Sequence, residues 1–180
     1  MSTPAAPIPA RLVISVFLNE KLLIETVAED LARSFGSMDL VSAWLDFDYT
    51  DYYAAEFGAP LFRRVFSFVR PVDQGRLADI KHTTNAIEAR FAANGRRRVN
   101  IDPGYLTMER FVLATGKNFA HRIYLAEGIY ADLTLLYQHN DFTPLPWTYP
   151  DYAGRKMTAF LSMVRKRYIR TLEKTGALRS

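Results

Sequence analysis

Arg11-Leu12-Val13-Ile14-Ser15-Val16-Phe17-Leu18 is a β-rich run, and Asn19 directly after it offers an N-cap for a helix. Ile24, Val27, Ala28, Leu31 and Phe35 then fall on one helical face, and Gly36 follows as a stop. The stretch reads as strand then helix. Outward from it, residues 40–47 and 61–69 read as two further strands, the second setting Phe62, Arg64, Phe66 and Phe68 against Leu61, Arg63, Val65 and Ser67. Asp73 is placed to cap a second helix with Leu77, Ile80, Thr84, Ile87 and Phe91 on its inward stripe and Gly95 beyond. Residues 98–101 read as a fourth strand, which Asp102-Pro103-Gly104 stops.

The resulting order, βαββαβ, is that of the ferredoxin-like arrangement, in which two helices cover one face of an antiparallel sheet. The rest of the chain extends this α+β core. Residues 111–115 read as a strand, residues 120–137 as a hairpin closed by Glu127-Gly128, and residues 154–172 as a last helix. Met157, Phe160, Leu161, Val164, Tyr168 and Leu172 form its docking stripe, leaving Arg155, Lys166 and Arg170 outward.

A chain of 180 residues fits one domain, here residues 11–180, behind a Pro/Ala-rich segment, residues 1–10, that reads as a disordered tail. Hydrophobic residues at 49% and charged residues at 23% argue against a disordered or fibrous chain. There is no cysteine, so disulfides, thiolate metal sites and cysteine nucleophiles are excluded, and any metal must be held by oxygen or imidazole. No apolar run approaches a membrane span and the start lacks signal-peptide character, so the expected location is cytoplasmic, with no membrane partner. The net charge of +4 is concentrated in residues 151–180, whose eight Lys/Arg face only Asp151 and Glu173. The slightly acidic remainder is a poor fit to a domain that reads nucleic-acid sequence.

Polar and aromatic residues gather in five short runs: residues 47–53, residues 81–88, residues 100–105, residues 115–122 and residues 147–152. Most sit at element ends, where a scaffold presents chemistry to a ligand. In the hairpin, a two-residue turn at Glu127-Gly128 pairs Ala126 with Ile129 and His121 with Thr134, which sets Asp132 diagonal to His121. A carboxylate beside an imidazole orients it for acid/base work near neutral pH; the same pair also serves as a structural hydrogen bond. Lys81, Asn85 and Glu88 share one helix stripe, as a solvated face would. Thr115-Gly116-Lys117-Asn118 followed by Arg122 combines an open backbone with two cations suited to phosphate, without the spacing of a Walker A loop; an ordinary turn is the competing reading. Asp46, Asp48, Asp51 and Asp102 make Mg²⁺ a conceivable cofactor, although acids after a strand often cap the next element. The segment around Trp147 and Tyr149, broken by Pro144, Pro146 and Pro150, reads as an irregular loop that covers a cleft or plugs the core.

Phe47-Asp48-Tyr49-Thr50, Arg98-Val99-Asn100-Ile101-Asp102-Pro103-Gly104-Tyr105, His121-Arg122-Ile123-Tyr124-Leu125 and Pro146-Trp147-Thr148-Tyr149-Pro150-Asp151-Tyr152 together resemble the bacterial domain of unknown function 4416 family. The resemblance extends from Val13 to Tyr168. It implies kinship and no particular activity. Phe57 stands where the family usually has methionine, Gly116 where it often has threonine, and Asp132 where it often has glutamate, which keeps the carboxylate.

These readings lead to an expected domain or enzyme that takes a small anionic ligand, phosphorylated or nucleotide-like. His121 with Asp132 would be the acid/base pair, Asp102 a further catalytic group, and Lys117 and Arg122 anion clamps. Lys81, Asn85, Glu88, Asn100, Thr50 and Tyr53 would contact the ligand, with Trp147 and Tyr149 as lid or stacking surface. The alternatives are a non-catalytic domain that binds RNA or protein through its basic C-terminal helix, and a Mg²⁺-dependent phosphotransfer enzyme.

Overall fold

A computed structural model of the chain describes residues 1–46, Phe57, residues 60–93 and residues 95–177. The elements run β1 (Ala10–Leu18), α1 (Leu23–Phe35), β2 (Met38–Val41), β3 (Leu45–Asp46), β4 (Phe62–Val72), α2 (Leu77–Arg90), β5 (Val99–Leu106), β6 (Arg110–Thr115), β7 (Arg122–Ala126), β8 (Ile129–Gln138), β9 (Asp141–Pro144), α3 (Pro150–Ala153) and α4 (Arg155–Thr175). The strands form one open sheet in the order β2-β4-β1-β5-β6-β8-β7, with β3 on β4 and β9 on β8, and the pairings are antiparallel. The class is α+β.

Both faces of the sheet are covered. Leu12, Ile14, Val16 and Leu18 of β1 point to α1 and α2, where they pack with Val27, Leu31, Ile80 and Ile87. Val13, on the opposite face, belongs with Val65, Phe111, Leu135 and the α4 stripe. Every residue of β1 is therefore buried, as a strand inside a two-faced sheet requires. The six residues of the α4 stripe are all buried. At about 1.5–3 kcal/mol for each large apolar side chain, burial of this face is what holds the helix.

Several local readings are corrected. Asn19 does not cap α1: its side-chain N–H donates to the Phe57 carbonyl at 2.6 Å, and the helix starts at Leu23 after turns from Glu20 and Lys21. The strand expected over residues 40–47 is divided into β2 and β3, with the Ser42 hydroxyl accepting the Val65 N–H between them; Phe47 lies outside the described residues. Asp73 caps a 3₁₀ turn, Gln74–Arg76, that leads into α2. β9 was not foreseen; it returns from β8 through His139 and Asn140, both at positive φ, the left-handed pair that a tight hairpin demands. Pro150 opens the short helix α3 rather than an irregular loop, because at the first helical position its missing N–H is harmless. β1 begins at Ala10, and the carbonyls of Ile8 and Pro9 just ahead of it accept bonds from Gln74 and Tyr168.

β5 does not stop at Asp102-Pro103-Gly104. It pairs with β1 from Val99 to Leu106, Pro103 lying opposite Ile14. What ends there is the ladder to β6, whose last pair is Gly104 with Leu113. The Thr107 N–H donates to the Arg110 carbonyl, so odd-numbered positions here turn their backbone toward β6. Pro103 is such a position and has no N–H to give. Gly104 is fixed by the approach of β6, since a Cβ there would lie 2.5 Å from the Val112 carbonyl oxygen.

Candidate functional site

Beyond Pro103, β5 and β6 part and leave a cleft of about 820 Å³, a size usual for small-molecule sites. Its β5 side is finished by a helix instead of a strand. The Ile101 N–H donates to Glu88 Oε1 at 2.6 Å, and Lys81 Nζ donates to the Ile101 carbonyl at 2.9 Å. Lys81 and Glu88, both buried on the α2 stripe, thus satisfy the backbone groups that β6 leaves open.

Their neighbours close a ring. Lys81 Nζ is 3.6 Å from Asp102 Oδ1 and 3.9 Å from Glu88 Oε1. Asp102 Oδ2 accepts from the Asn100 side chain at 2.8 Å, and Asn100 Oδ1 accepts from Arg97 at 3.0 Å. Arg97 returns to Glu88 Oε2 at 3.7 Å. Burial raises the pKa of Glu88 above the usual carboxylate range, against the pull of Lys81 and the Ile101 N–H. Asn85, one turn along α2, stands exposed at the rim.

Arg122 organises the opposite wall. It lies directly across from Asp132 because the β7–β8 ladder shifts register between Tyr124 and Ala126. The turn itself is as expected, Ala126 opposite Ile129 with Glu127 and Gly128 at positive φ. The shift corrects the expected His121–Thr134 pairing, since one extra residue moves every later partner by one; His121 lies just ahead of β7. His121 nonetheless reaches Asp132, with Nε2 at 3.3 Å from Oδ2, and Arg122 Nε shares that oxygen at 2.9 Å. Arg122 also donates to the Lys117 carbonyl and the Tyr149 hydroxyl, each at 3.0 Å. Burial works against its charge, but the bonds to Asp132 and Tyr149 outweigh it and hold the guanidinium more firmly protonated.

At the remaining side, Arg63 and Asp151 form a buried ion pair at 2.6 Å, with the Arg63 guanidinium 4.8 Å from the centre of the Tyr152 ring. Phe17 joins them in lining the cleft. Tyr152 is buried, and that burial pushes its phenol far above its ordinary pKa.

Nine of the expected residues line this one cleft: Lys81, Asn85, Glu88, Asn100, Asp102, Lys117, Arg122, Asp132 and Tyr149. His121 and Trp147 do not. Their rings stack on each other at 4.9 Å, and the Trp147 indole N–H donates to the Leu133 carbonyl. Of the two, His121 contacts Asp132. Thr50 and Tyr53, like Asp48 and Asp51, lie outside the described residues. Among the described residues no three His, Asp or Glu side chains gather as a metal would need. Arg63 and Arg97 were missed as lining residues; the signal for Arg63 was a base on the strand face that also carries Val65. Of the basic run in α4, Arg165 donates to the Met108 carbonyl and covers the Tyr137 ring, and Arg167 pairs with Asp39. Among the described residues no helix is long and apolar enough to cross a membrane.

These features define an α+β domain built on one open antiparallel sheet, with a charge-lined cleft where two neighbouring strands separate. The chain belongs to the family described as Domain of unknown function (DUF4416), whose model matches residues 8–168. No curated protein and no solved structure matches it.

Proposed function

We propose that the domain binds a small phosphorylated or nucleotide-like molecule in the cleft between β5 and β6, in the cytoplasm. The observation that carries this reading is the convergence of residues from four separate polar runs on one cavity of ligand size. Five basic side chains, Arg63, Lys81, Arg97, Lys117 and Arg122, line it against four acidic ones. Lys117, on the exposed turn after β6, is the anion clamp. Arg122 serves mainly to fix the wall, and His121 with Asp132 supports it from behind. The core is read as ferredoxin-like: the order β2-β4-β1-β5, with helices after β1 and β4, supports that topology.

The test is a thermal-shift panel of nucleotides, sugar phosphates and inorganic phosphate, with and without Mg²⁺. A ligand at about 100 times its dissociation constant adds about 2.7 kcal/mol, which a melting curve resolves. The expected result is a selective rise with one phosphorylated class, lost in Lys117→Ala. A flat panel sinks the reading.

A further inference from the structure

We infer that Glu88 is the proton-exchanging group of the cleft, taking up a proton when an anion enters beside Lys81 and Arg97. This rests on the anion reading above and adds the group that answers the ligand's charge.

The geometry supplies the reason. Glu88 is 7% exposed, and the groups that face it are Lys81 from its own helix, Arg97 from the segment ahead of β5, and Ile101 and Asp102 from β5. The two cations, at 3.9 and 3.7 Å, are what keep the carboxylate ionised in a place too dry to favour it. An incoming phosphoryl group competes for those cations and adds negative charge of its own. Proton uptake by an acid that shares those cations offsets the added charge. Asp102 is the poorer choice, since its side chain is 28% exposed and holds the Asn100 N–H at 2.8 Å. Within Glu88 the choice of atom also follows: Oε1 already accepts the Ile101 N–H, so the proton goes to Oε2. A neutral Glu88 there is an O–H donor among the lining groups, poised to return the proton to a ligand oxygen.

Sulfate is the probe, because it stays dianionic across the working pH range and any proton taken up belongs to the protein. Calorimetric titration of the full chain should show affinity falling about tenfold per pH unit once Glu88 is ionised. Glu88→Gln keeps an acceptor for Ile101 and is neutral at every pH, so it should bind sulfate with no such slope and more tightly than wild type at high pH. Carboxyl carbon NMR of the wild-type protein gives a second reading: the Glu88 resonance should titrate at higher pH with sulfate than without. A slope that persists in Glu88→Gln, or sulfate binding that leaves the Glu88 titration unmoved, overturns this inference and leaves the anion reading standing. Failure of sulfate to bind either protein overturns both.

Discussion

Glu88 Oε1 accepts the backbone N–H of Ile101 at 2.6 Å, so a helix carboxylate occupies the place in the sheet that a neighbouring strand would have filled. With Lys81 on the Ile101 carbonyl, this lets β5 stay straight along β1 while β6 turns away. The cleft exists because side chains complete what the ladder leaves undone.

Removing that carboxylate should be costly in a way that a neutral isostere is not. Glu88→Ala strands a buried N–H and leaves Lys81 and Arg97 without a shared partner, for a loss of about 2–4 kcal/mol in urea unfolding. Glu88→Gln should lose about 1 kcal/mol or less. An equal loss in both would mean that the backbone bond contributes little.

The pH dependence has a definite sign. Burial raises the folded-state pKa of Glu88, so the folded protein holds a proton that the unfolded chain has released above about pH 4.3. Its contribution is present in full below that pH and is lost as pH rises through the folded value. Urea midpoints should therefore fall with rising pH across this window more steeply in wild type than in Glu88→Gln.

Tyr152 predicts a second loss at the alkaline end. Its phenol is raised by burial, so its stability contribution is complete below about pH 10, where a free tyrosine titrates, and declines above it. Tyr152→Phe should flatten the alkaline limb of a stability-versus-pH curve. A limb unchanged by the substitution would assign the loss to other groups.

Gly104→Ala should destabilise the domain by about 1–3 kcal/mol or more, because the new methyl meets the Val112 carbonyl oxygen at 2.5 Å and backbone must move. Gly116→Ala, where a Cβ meets nothing within 4 Å, is the control and should be nearly neutral. Thermal unfolding of the two variants decides it.

Asp151→Asn should lose about 1.5–3 kcal/mol, since it takes the charge from the carboxylate that bonds the buried Arg63 guanidinium. Arg98, paired with Glu20 on the surface, gives the comparison: Glu20→Gln should leave stability nearly unchanged. Similar losses in both variants would contradict the assigned burial.

Much of the architecture was legible in the chain. Alternation over 61–69, the stripes of α2 and α4 and the Glu127-Gly128 turn each depend on neighbours a few residues apart, and periodicity or turn chemistry reports those directly. The residues of the cleft were legible too, as polar runs in an otherwise apolar scaffold. Their division of labour was not. One extra residue at the β7–β8 register shift put Arg122 across from Asp132, where the unshifted ladder that pairs His121 with Thr134 would have put Ile123.

What the sequence by itself determined was the order and type of the main strands and long helices and the identity of most lining residues, because side-chain polarity and local spacing fix both. Tertiary structure alone decided that Pro103 opens the sheet instead of ending the strand. A proline's missing donor matters only on the side where a neighbour expects it: toward β1 it costs nothing, and toward β6 it ends the ladder. Which side that is depends on how β5 is registered between strands far apart in the chain, and no local pattern carries that information.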